Sequence, residues 1–277
     1  MKIILTFDVE EYYQVENFKS VIRQDEWKNF DSRLTVGLMR ILRILDDHNA
    51  KATFFVLGCV AEKRPDVIRH IAERGHEIAS HGYGHELVYK QTQEEYKKDV
   101  ERSLQILGTL AQKKIRSYRA PCFSISRKTM WAYDVIKELG IEFDSSLFPM
   151  HHDHYGLPSK ERYPYVIKTQ KGQLQEIPIS TAEVLGKRIP FAGGGYFRML
   201  PLWVIKKCMQ QVNAAEQVVN MYFHPWEFDP EQPRITTNAL AAFRHYINLD
   251  KTESKLRAIM SGNEFMTIAE YGDSLKV

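Results

Sequence analysis

The sequence predicts an α/β fold in which a parallel sheet or barrel is covered by helices. Short apolar runs rich in β-branched residues alternate along the chain with longer segments whose apolar residues recur at helical spacing. Polar side chains that can do chemistry follow several of these runs directly, as they do at the carboxyl edge of parallel sheets. Because strands and helices alternate, each helix is expected to connect two parallel strands.

The first strand is predicted at residues 3–9, where a continuous apolar run without clean alternation suits a strand covered on both faces. Helical spacing of apolar residues then predicts a helix at 34–45. Further strands are predicted at 51–57, 76–80, 115–121, 141–144, 218–223 and 264–268. Further helices are predicted at 61–74, 92–110, 128–139, 202–215 and 239–260. Residues 165–169 and 175–180 are predicted to form an inserted β-hairpin through Lys171 and Gly172.

The composition predicts a single domain over residues 1–277. Of the 277 residues, 44% are hydrophobic, which is enough for a buried core, and no linker or internal repeat divides the chain. The 38 basic and 35 acidic side chains give a net charge of only +3. This near balance argues against a surface that binds nucleic acid.

Cysteine usage and the N-terminal residues predict a cytoplasmic location. Cys59, Cys122 and Cys208 lie far apart, which argues against a thiolate metal cluster or a disulfide framework and fits a reducing compartment. Carboxylates occur within the first ten residues, where a secretory signal would be apolar. An apolar run of about 18 residues, the length that would span a membrane, is also missing from the sequence.

Two carboxylates, Asp8 and Glu10, end the first predicted strand. Residues i and i+2 of an extended chain point to the same side, so both would share a face while Val9 points away. A nearby cation would relieve the repulsion between the two anions. Taken alone, these residues favour a simpler interpretation, in which Asp8 caps the following segment and Glu10 and Glu11 are solvated.

His81 and His85 have a spacing that can place two imidazoles on one side of a compact loop. Gly82 and Gly84 disfavour a regular helix there. Two histidines and one carboxylate form a known divalent-metal set, which Glu10 or Asp8 could complete. A chance pair of surface histidines is the alternative.

Arg119, Cys122 and His224 lie at or after the ends of other predicted strands. Arg119 could clamp a carboxylate, with Pro121 fixing the exit of the strand, or it could form an ordinary surface ion pair. His224 titrates near neutral pH, as a general acid must, although a lone histidine at a strand end is more often structural. Cys122 has no His/Asn signature of a nucleophile nearby, so a small buried side chain is the better interpretation.

Two further clusters are less diagnostic. The glycines at 193–195 lack the spacing of a phosphate or dinucleotide loop, so they fit either a close backbone approach to a substrate or an ordinary turn. His151, His152 and His154 have the composition of a metal tract. Because they do not follow a predicted strand, a solvated loop is the preferred interpretation.

Taken together, the candidate residues fall into five motifs in a fixed order. They are TFDVE at 6–10, SHGYGH at 80–85, RAP at 119–121, DSS at 144–146 and YFHP at 222–225. This order resembles that of the polysaccharide deacetylases, the NodB-homology family or carbohydrate esterase family 4, over residues 3–224. The chain is most similar to the subgroup associated with bacterial exopolysaccharide loci, because GGGYFR at 193–198 and FHPWE at 223–227 match its pattern.

The resemblance implies a distorted (β/α) barrel of the NodB type. It also implies one divalent metal ion, usually zinc, and water that attacks the amide carbonyl of an N-acetylated sugar. The family roles make Asp8 the base, Arg119 the residue that orients Asp8, and His224 the acid that protonates the leaving amine. The backbone N–H of Cys122 would be the oxyanion donor, and Asp144 would support the substrate from the rim of the site.

The resemblance makes His81 and His85 metal ligands, but the chain departs from the family pattern at the third ligand. The family has a second acid directly after the base, and this sequence has Val9 there. Glu10 is expected to supply the carboxylate, although its longer side chain must reach the place of a shorter aspartate. If Asp8 itself binds the metal, another base is needed.

Four residues near the expected mouth are predicted to bind the saccharide. The rings of Tyr196, Phe197 and Trp226 could stack on sugar, and Arg198 could reach an anionic or hydroxyl group.

The sequence therefore predicts a metal-dependent hydrolase of carbon–nitrogen bonds that deacetylates N-acetylamino sugars of a bacterial polysaccharide or its precursor. One alternative is a hydrolase of another non-peptide C–N bond, of cyclic imide or ureide type, with weak or no metal, which Val9 favours. A catalytically silent carbohydrate-binding protein is a third possibility, against which the other retained site residues argue.

Overall fold

A computed structural model of the protein describes residues 1–150 and 161–275. Its strands are β1 (Lys2–Val9), β2 (Thr53–Val56), β3 (Glu77–Ser80), β4 (Ser117–Tyr118), β5 (Phe143–Asp144), β6 (Tyr165–Thr169), β7 (Gly172–Glu176), β8 (Thr181–Val184), β9 (Lys187–Pro190), β10 (Val219–Phe223) and β11 (Glu264–Met266). Its helices are α1 (Leu34–Asp47), α2 (Gly58–Lys63), α3 (Pro65–Glu73), α4 (Gln93–Ala111), α5 (Trp131–Glu138), α6 (Gly194–Met199), α7 (Leu202–Ala214), α8 (Ala239–Tyr246), α9 (Thr252–Met260) and α10 (Ile268–Ser274). The predicted loop at His151, His152 and His154 lies outside the described residues.

A nine-stranded sheet organises the chain in the order β10-β1-β2-β3-β4-β5-β7-β6, and β11 pairs with the start of β1. All its pairs are parallel except that of β6 with β7. This arrangement confirms the predicted α/β class. The carboxyl ends of β1, β3 and β10 therefore meet at one edge of the sheet.

Strand β1 is covered on both faces, as its continuous apolar run predicted. Ile3, Leu5 and Phe7 belong to one buried apolar cluster, whereas Ile4 packs in a second cluster together with Phe55. Because side chains alternate along a strand, these two clusters lie on opposite faces of the sheet. Burial on both sides fixes the register of β1 and the place where its polar end emerges.

The predicted hairpin forms from β6 and β7, but its second strand covers Gly172–Glu176 and not 175–180. The hairpin extends the main sheet, because β7 pairs in parallel with β5. The chain then returns towards β10. The N–H of Ser180 donates to the carbonyl of Asn220 at 3.0 Å, and the N–H of Asn220 donates to the Ser180 hydroxyl at 2.9 Å. These bonds bring the chain after β7 back to β10 at the other edge of the sheet, as a distorted barrel requires.

Two predicted helices are each divided in the structure. The segment 61–74 contains α2 and α3, which separate at Arg64 because the following Pro65 disfavours helical geometry in the residue before it. The segment 239–260 contains α8 and α9, and Asn248 between them has a left-handed φ of 49°. Helical periodicity continues across both breaks, so it does not reveal them.

Gly193 directly precedes α6, and Gly194 and Gly195 begin this helix and line the cavity described below. A Cβ built on Gly193 would lie 1.9 Å from the carbonyl oxygen of Tyr222 in β10. The glycine therefore allows the chain to pass directly beside the strand that carries His224.

Along the described residues, no helix has the length and apolarity that crossing a membrane would need.

Asp144 does not lie at the rim of a substrate site, so its predicted role is wrong. It is fully buried, and its carboxylate accepts hydrogen bonds from the hydroxyl and the N–H of Ser146 at 2.8 and 3.0 Å. The neighbouring strand places buried Glu176 opposite Asp144 in the β5–β7 pair. Burial and the adjacent Asp144 raise the pKa of Glu176 well above its usual value.

This pair makes stability depend on pH. Folded Glu176 keeps a proton that the unfolded chain releases above its ordinary pKa of about 4.5, so the wild type loses stability as pH rises from that value. Between pH 5 and pH 8 the free energy of unfolding of the wild type should fall. We predict a smaller fall in Glu176→Gln, with a difference of more than about 1 kcal/mol between the two proteins. Urea denaturation at both pH values measures this difference. Exposed Glu101→Gln is the matched control, and equal pH dependence of Glu176→Gln and wild type would contradict the prediction.

Candidate active site

The polar ends of three parallel strands open into one cavity of about 350 Å³. Its floor contains five of the predicted site residues, which are Asp8, Glu10, His81, His85 and His224. Their burial rules out the solvated and surface alternatives that the sequence left open.

Arg119 fixes Asp8 at this floor and is not a surface residue. Its guanidinium is fully buried, and Nη1 donates to Asp8 Oδ1 at 2.6 Å and to the hydroxyl of Thr6 at 2.8 Å. Nε and Nη2 donate to the carbonyl and the hydroxyl of Ser145 at 3.0 and 2.9 Å. The ring of Phe55 lies 4.1 Å from Cζ. The Asp8 carboxylate is thereby held in one orientation by a charge that cannot move.

Glu10 reaches the cavity through a turn, not through continued extension of β1. Its N–H donates to the carbonyl of Asp8 at 3.1 Å, directly after the strand ends at Val9. Val9 is buried in the apolar core, as predicted. Glu11 is also buried, and its carboxylate accepts the N–H of Arg33 at 3.0 Å just before α1 begins.

Glu10, His81 and His85 form the candidate cation site. Their ligand atoms lie within 4.8 Å of one another, and all three side chains are buried. His81 Nδ1 lies 2.8 Å from the carbonyl of Arg119, which leaves Nε2 available to a metal. His85 Nε2 and Glu10 Oε2 lie 2.9 Å apart, yet Glu10 Oε2 makes no hydrogen bond of normal geometry. A buried carboxylate oxygen without such a bond fits a divalent cation.

The protonation states of these three residues also suit a cation. Burial tends to raise the pKa of Glu10, but the charges of His85, His224 and His81 outweigh it and lower that pKa to about 2. Burial lowers the pKa of His81 to about 4, so its imidazole is neutral at pH 7. Burial also tends to lower the pKa of His85, but the charge of Glu10 raises it to about 10. Glu10 thus attracts positive charge, which a divalent ion would supply in place of the proton.

Asp99, in α4, holds the loop that carries the two histidines, and the sequence analysis missed it. Its carboxylate accepts the N–H groups of Tyr83 and Gly84 at 2.7 and 3.1 Å. Gly82 has a φ of +76°, and a Cβ there would lie 2.8 Å from Asp99 Oδ2. The turn, and not a helix, therefore brings His85 back towards His81.

His224 is the most exposed of the five floor residues, with 16% of its side chain accessible. Nε2 lies 3.4 Å from Glu10 Oε1 and 4.0 Å from Asp8 Oδ2. Nδ1 lies 2.8 Å from Glu227 Oε1, which also accepts the His224 N–H at 3.0 Å. Burial tends to lower the pKa of His224, but the bond to Glu227 and the charges of Glu10, Glu227 and Asp8 raise it.

Glu227 is the second residue that the sequence analysis missed, although it stands in the FHPWE motif. It is fully buried, and its other oxygen accepts a hydrogen bond from Arg198 Nε at 2.8 Å. Its spacing of three residues from His224 was a usable signal, because that spacing returns a side chain towards the first residue in a tight turn.

Two of the predicted sugar contacts are buried, although Arg198 also lines the cavity. Arg198 is 1% exposed, and apart from Glu227 it donates to the carbonyls of Arg244, His245 and Ile247. Its guanidinium therefore forms its hydrogen bonds within the protein. Phe197 is fully buried and packs edge-on against Phe223 at 4.9 Å between ring centroids, so it belongs to the core.

Tyr196 and Trp226 line the cavity as well. Tyr196 is half-buried, and Trp226 stacks between His224 and His245 while its Nε1 donates to Glu10 Oε1 at 3.3 Å. Cys122 is also only half-buried, contrary to the expected buried side chain, and its Sγ lies 4.0 Å from His85 Nε2.

Two family models match successive parts of the chain. Residues 2–143 match the family described as polysaccharide deacetylase, which is 142 of the 277 residues. Residues 145–273 match a domain of unknown function, DUF3473. The chain therefore belongs to the polysaccharide deacetylase family.

Individual relatives cover smaller parts of the chain. A peptidoglycan-N-acetylglucosamine deacetylase of Bacillus cereus is 32% identical over 118 residues, or 38% of this chain and 43% of the relative. A peptidoglycan deacetylase of Helicobacter pylori is 27% identical over 158 residues, which is 52% of each chain. The chain thus spans about half the length of these curated relatives.

A solved structure shares the fold over nearly the whole chain. A candidate polysaccharide deacetylase from Mycobacterium smegmatis has a TM-score of 0.67 at 21% identity and covers 99% of this chain and 90% of its own. This similarity confirms the predicted NodB-type fold.

The three ligand residues generate a direct test. We predict that the wild type binds one divalent cation per chain and that Glu10→Ala and His81→Ala each weaken binding more than about 100-fold, because each removes one of three ligands. Calorimetric titration with zinc chloride measures the affinity. His48→Ala, which removes an imidazole away from the cavity, should bind as the wild type does. Unchanged affinity in both ligand variants would contradict the assignment.

Proposed function

We propose that the protein is a metal-dependent hydrolase that removes acetyl groups from N-acetylamino sugars of a bacterial polysaccharide or its precursor. The observation that carries this proposal is the meeting, in one cavity, of an oriented carboxylate, a cation-binding set and a histidine. The named activities of the Bacillus cereus and Helicobacter pylori relatives support an N-acetylated saccharide as the substrate.

The cavity needs both of the matched regions. Asp8, Glu10 and His81 come from residues 2–143, whereas His224 and Trp226 come from residues 145–273. We therefore propose that the chain acts as a single catalytic unit.

Glu10, His81 and His85 would hold the metal, and zinc suits a set of two imidazoles and one carboxylate. When bound, the ion supplies Lewis acidity to the amide carbonyl and to the attacking water. Arg119 holds the Asp8 carboxylate in place at the cavity, and Asp8 is assigned to accept the proton that the water loses as its oxygen attacks. The backbone N–H of Cys122, which has a left-handed φ of 53° at the cavity wall, is assigned to the developing oxyanion.

His224 is assigned to protonate the nitrogen of the leaving amine as the C–N bond breaks. The hydrogen bond at Nδ1 directs Nε2 towards the cavity, and the raised pKa keeps a proton on the ring near neutral pH. Glu227 is a positioning residue for His224, and Arg198 holds Glu227 in its charged form.

The geometry supports deacetylation better than it supports the two alternatives. A hydrolase that works without metal has no need for the buried, convergent set of Glu10, His81 and His85, and a binding protein has no need for the buried Arg119–Asp8 pair. PuuE allantoinase has a TM-score of 0.62 at 14% identity over 98% of this chain and 89% of its own, and this similarity concerns the fold alone.

The assigned base generates the first activity prediction. Asp8→Asn keeps the shape of the side chain but cannot accept the proton, so acetate release from N-acetylated chito-oligosaccharides should fall about 10²–10⁴-fold. Circular dichroism and zinc affinity check that the variant is folded. Exposed Asp25→Asn serves as the control. A wild-type rate of acetate release in folded Asp8→Asn would contradict the proposed mechanism.

The positioning role of Glu227 generates the second activity prediction. Glu227→Gln can still accept a hydrogen bond from His224 but loses the charge, so kcat should fall about 10–100-fold with little change in KM. Steady-state kinetics per folded molecule separate this effect from the lower stability expected when Arg198 loses its buried partner. Exposed Glu101→Gln is the control because it removes a carboxylate that lies away from the cavity. An unchanged kcat in Glu227→Gln would show that Glu227 only supports the fold.

A further inference from the structure

The cavity changes character between its floor and its rim. The floor consists of ionisable side chains that are nearly inaccessible. The rim includes three large apolar side chains that are well exposed, with 40% for Met199, 57% for Leu240 and 52% for Phe243. All three line the same cavity as Asp8 and Glu10. We call these three residues the apolar rim.

We propose that the apolar rim binds a hydrocarbon group attached to the sugar, so that the preferred substrate is an amphipathic N-acetylated glycoside such as a lipid-linked saccharide. This inference rests on the proposed deacetylase function. The reacting amide must reach the buried floor, and Met199, Leu240 and Phe243 line the same cavity, where they can contact the rest of the substrate.

The chemistry of the rim favours an apolar ligand over a chain of bare sugars. Sugar rings expose hydroxyl groups that need hydrogen-bond partners, and the side chains of Met199, Leu240 and Phe243 provide no strong ones. Arg198 also lines the cavity, but its guanidinium is bound within the protein. Glu16 and Asn17 also line the cavity and suit the hydroxyls of a single sugar. Exposed apolar side chains that gather at a ligand cavity are typical of a binding surface.

The rim is also built as a fixed surface. Arg198 Nη1 and Nη2 donate to the carbonyls of His245 and Arg244, which ties α6 to the end of α8. Met199 follows Arg198 directly in α6, and Phe243 precedes Arg244 in α8. Because the same guanidinium binds Glu227, the rim and the His224 side of the floor share one buried anchor. The backbone that carries Met199 and Phe243 is therefore held in place before an apolar group binds.

Two glycosides that differ only in the aglycone test this proposal. We expect kcat/KM for acetate release from octyl N-acetylglucosaminide, below its micellar concentration, to exceed that for the methyl glycoside at least about tenfold. Burial of about two methylene groups is sufficient for this ratio. In Leu240→Ser/Phe243→Ser the ratio should fall to about one. Leu185→Ser, which replaces a 98% exposed leucine away from the cavity, should keep the wild-type ratio.

The outcomes separate this inference from the proposed function. Deacetylation of both glycosides at the same kcat/KM by the wild type would overturn the apolar rim and leave the deacetylase intact. If neither glycoside is deacetylated, calorimetric binding still tests the rim, because the octyl glycoside should bind at least about tenfold tighter than the methyl glycoside only when Leu240 and Phe243 are present. Equal affinities of the wild type for the two glycosides would overturn the proposal that the apolar rim binds a hydrocarbon group. The wild type could also sediment as a dimer and Leu240→Ser/Phe243→Ser as a monomer. If the octyl-to-methyl ratio of kcat/KM is then the same in both proteins, the rim is a self-association surface and the proposal is overturned.

Discussion

The buried guanidinium of Arg119 is the interaction on which the rest of the site depends. A charge in the interior is costly unless it is paired and fully hydrogen-bonded, and Asp8, Thr6 and Ser145 provide these partners. The carbonyl of the same residue contacts His81 Nδ1, so Arg119 orients both the proposed base and one proposed metal ligand. The sheet supplies the alignment, because β1, β3 and β4 are parallel strands of one sheet in the order β1-β2-β3-β4.

A second buried arginine plays a matching part on the other side of the cavity. Arg198 holds Glu227, and Glu227 holds His224, while further bonds from Arg198 tie α6 to α8. The proposed base and the proposed acid are thus each fixed by a buried arginine–carboxylate pair. Removing one member of such a pair leaves an uncompensated buried charge, which explains why activity and stability should change together at these positions.

The sequence predicted the elements and the floor of the site well, because both follow from local pattern. Polar residues directly after buried strands must gather at one edge of a parallel sheet, as Asp8, His81 and His224 do. It predicted the direction of helical side chains poorly. Whether Phe197 and Arg198 face a ligand or the core depends on how α6 packs against β10 and α8, which periodicity in a six-residue helix does not determine. Asp99 was missed for a related reason, since it acts from a helix on a distant loop.

The central claim is that Glu10 completes a cation site beside an oriented base and that the two act together. Acetate release from an N-acetylated chito-oligosaccharide, measured with metal-stripped protein before and after zinc is added, tests this claim most directly. The account predicts a negligible rate without metal and full recovery at about one equivalent of zinc, because one set of three ligands serves the cavity. A full rate in the stripped protein, unaffected by zinc, would contradict it and favour hydrolysis of a C–N bond without metal.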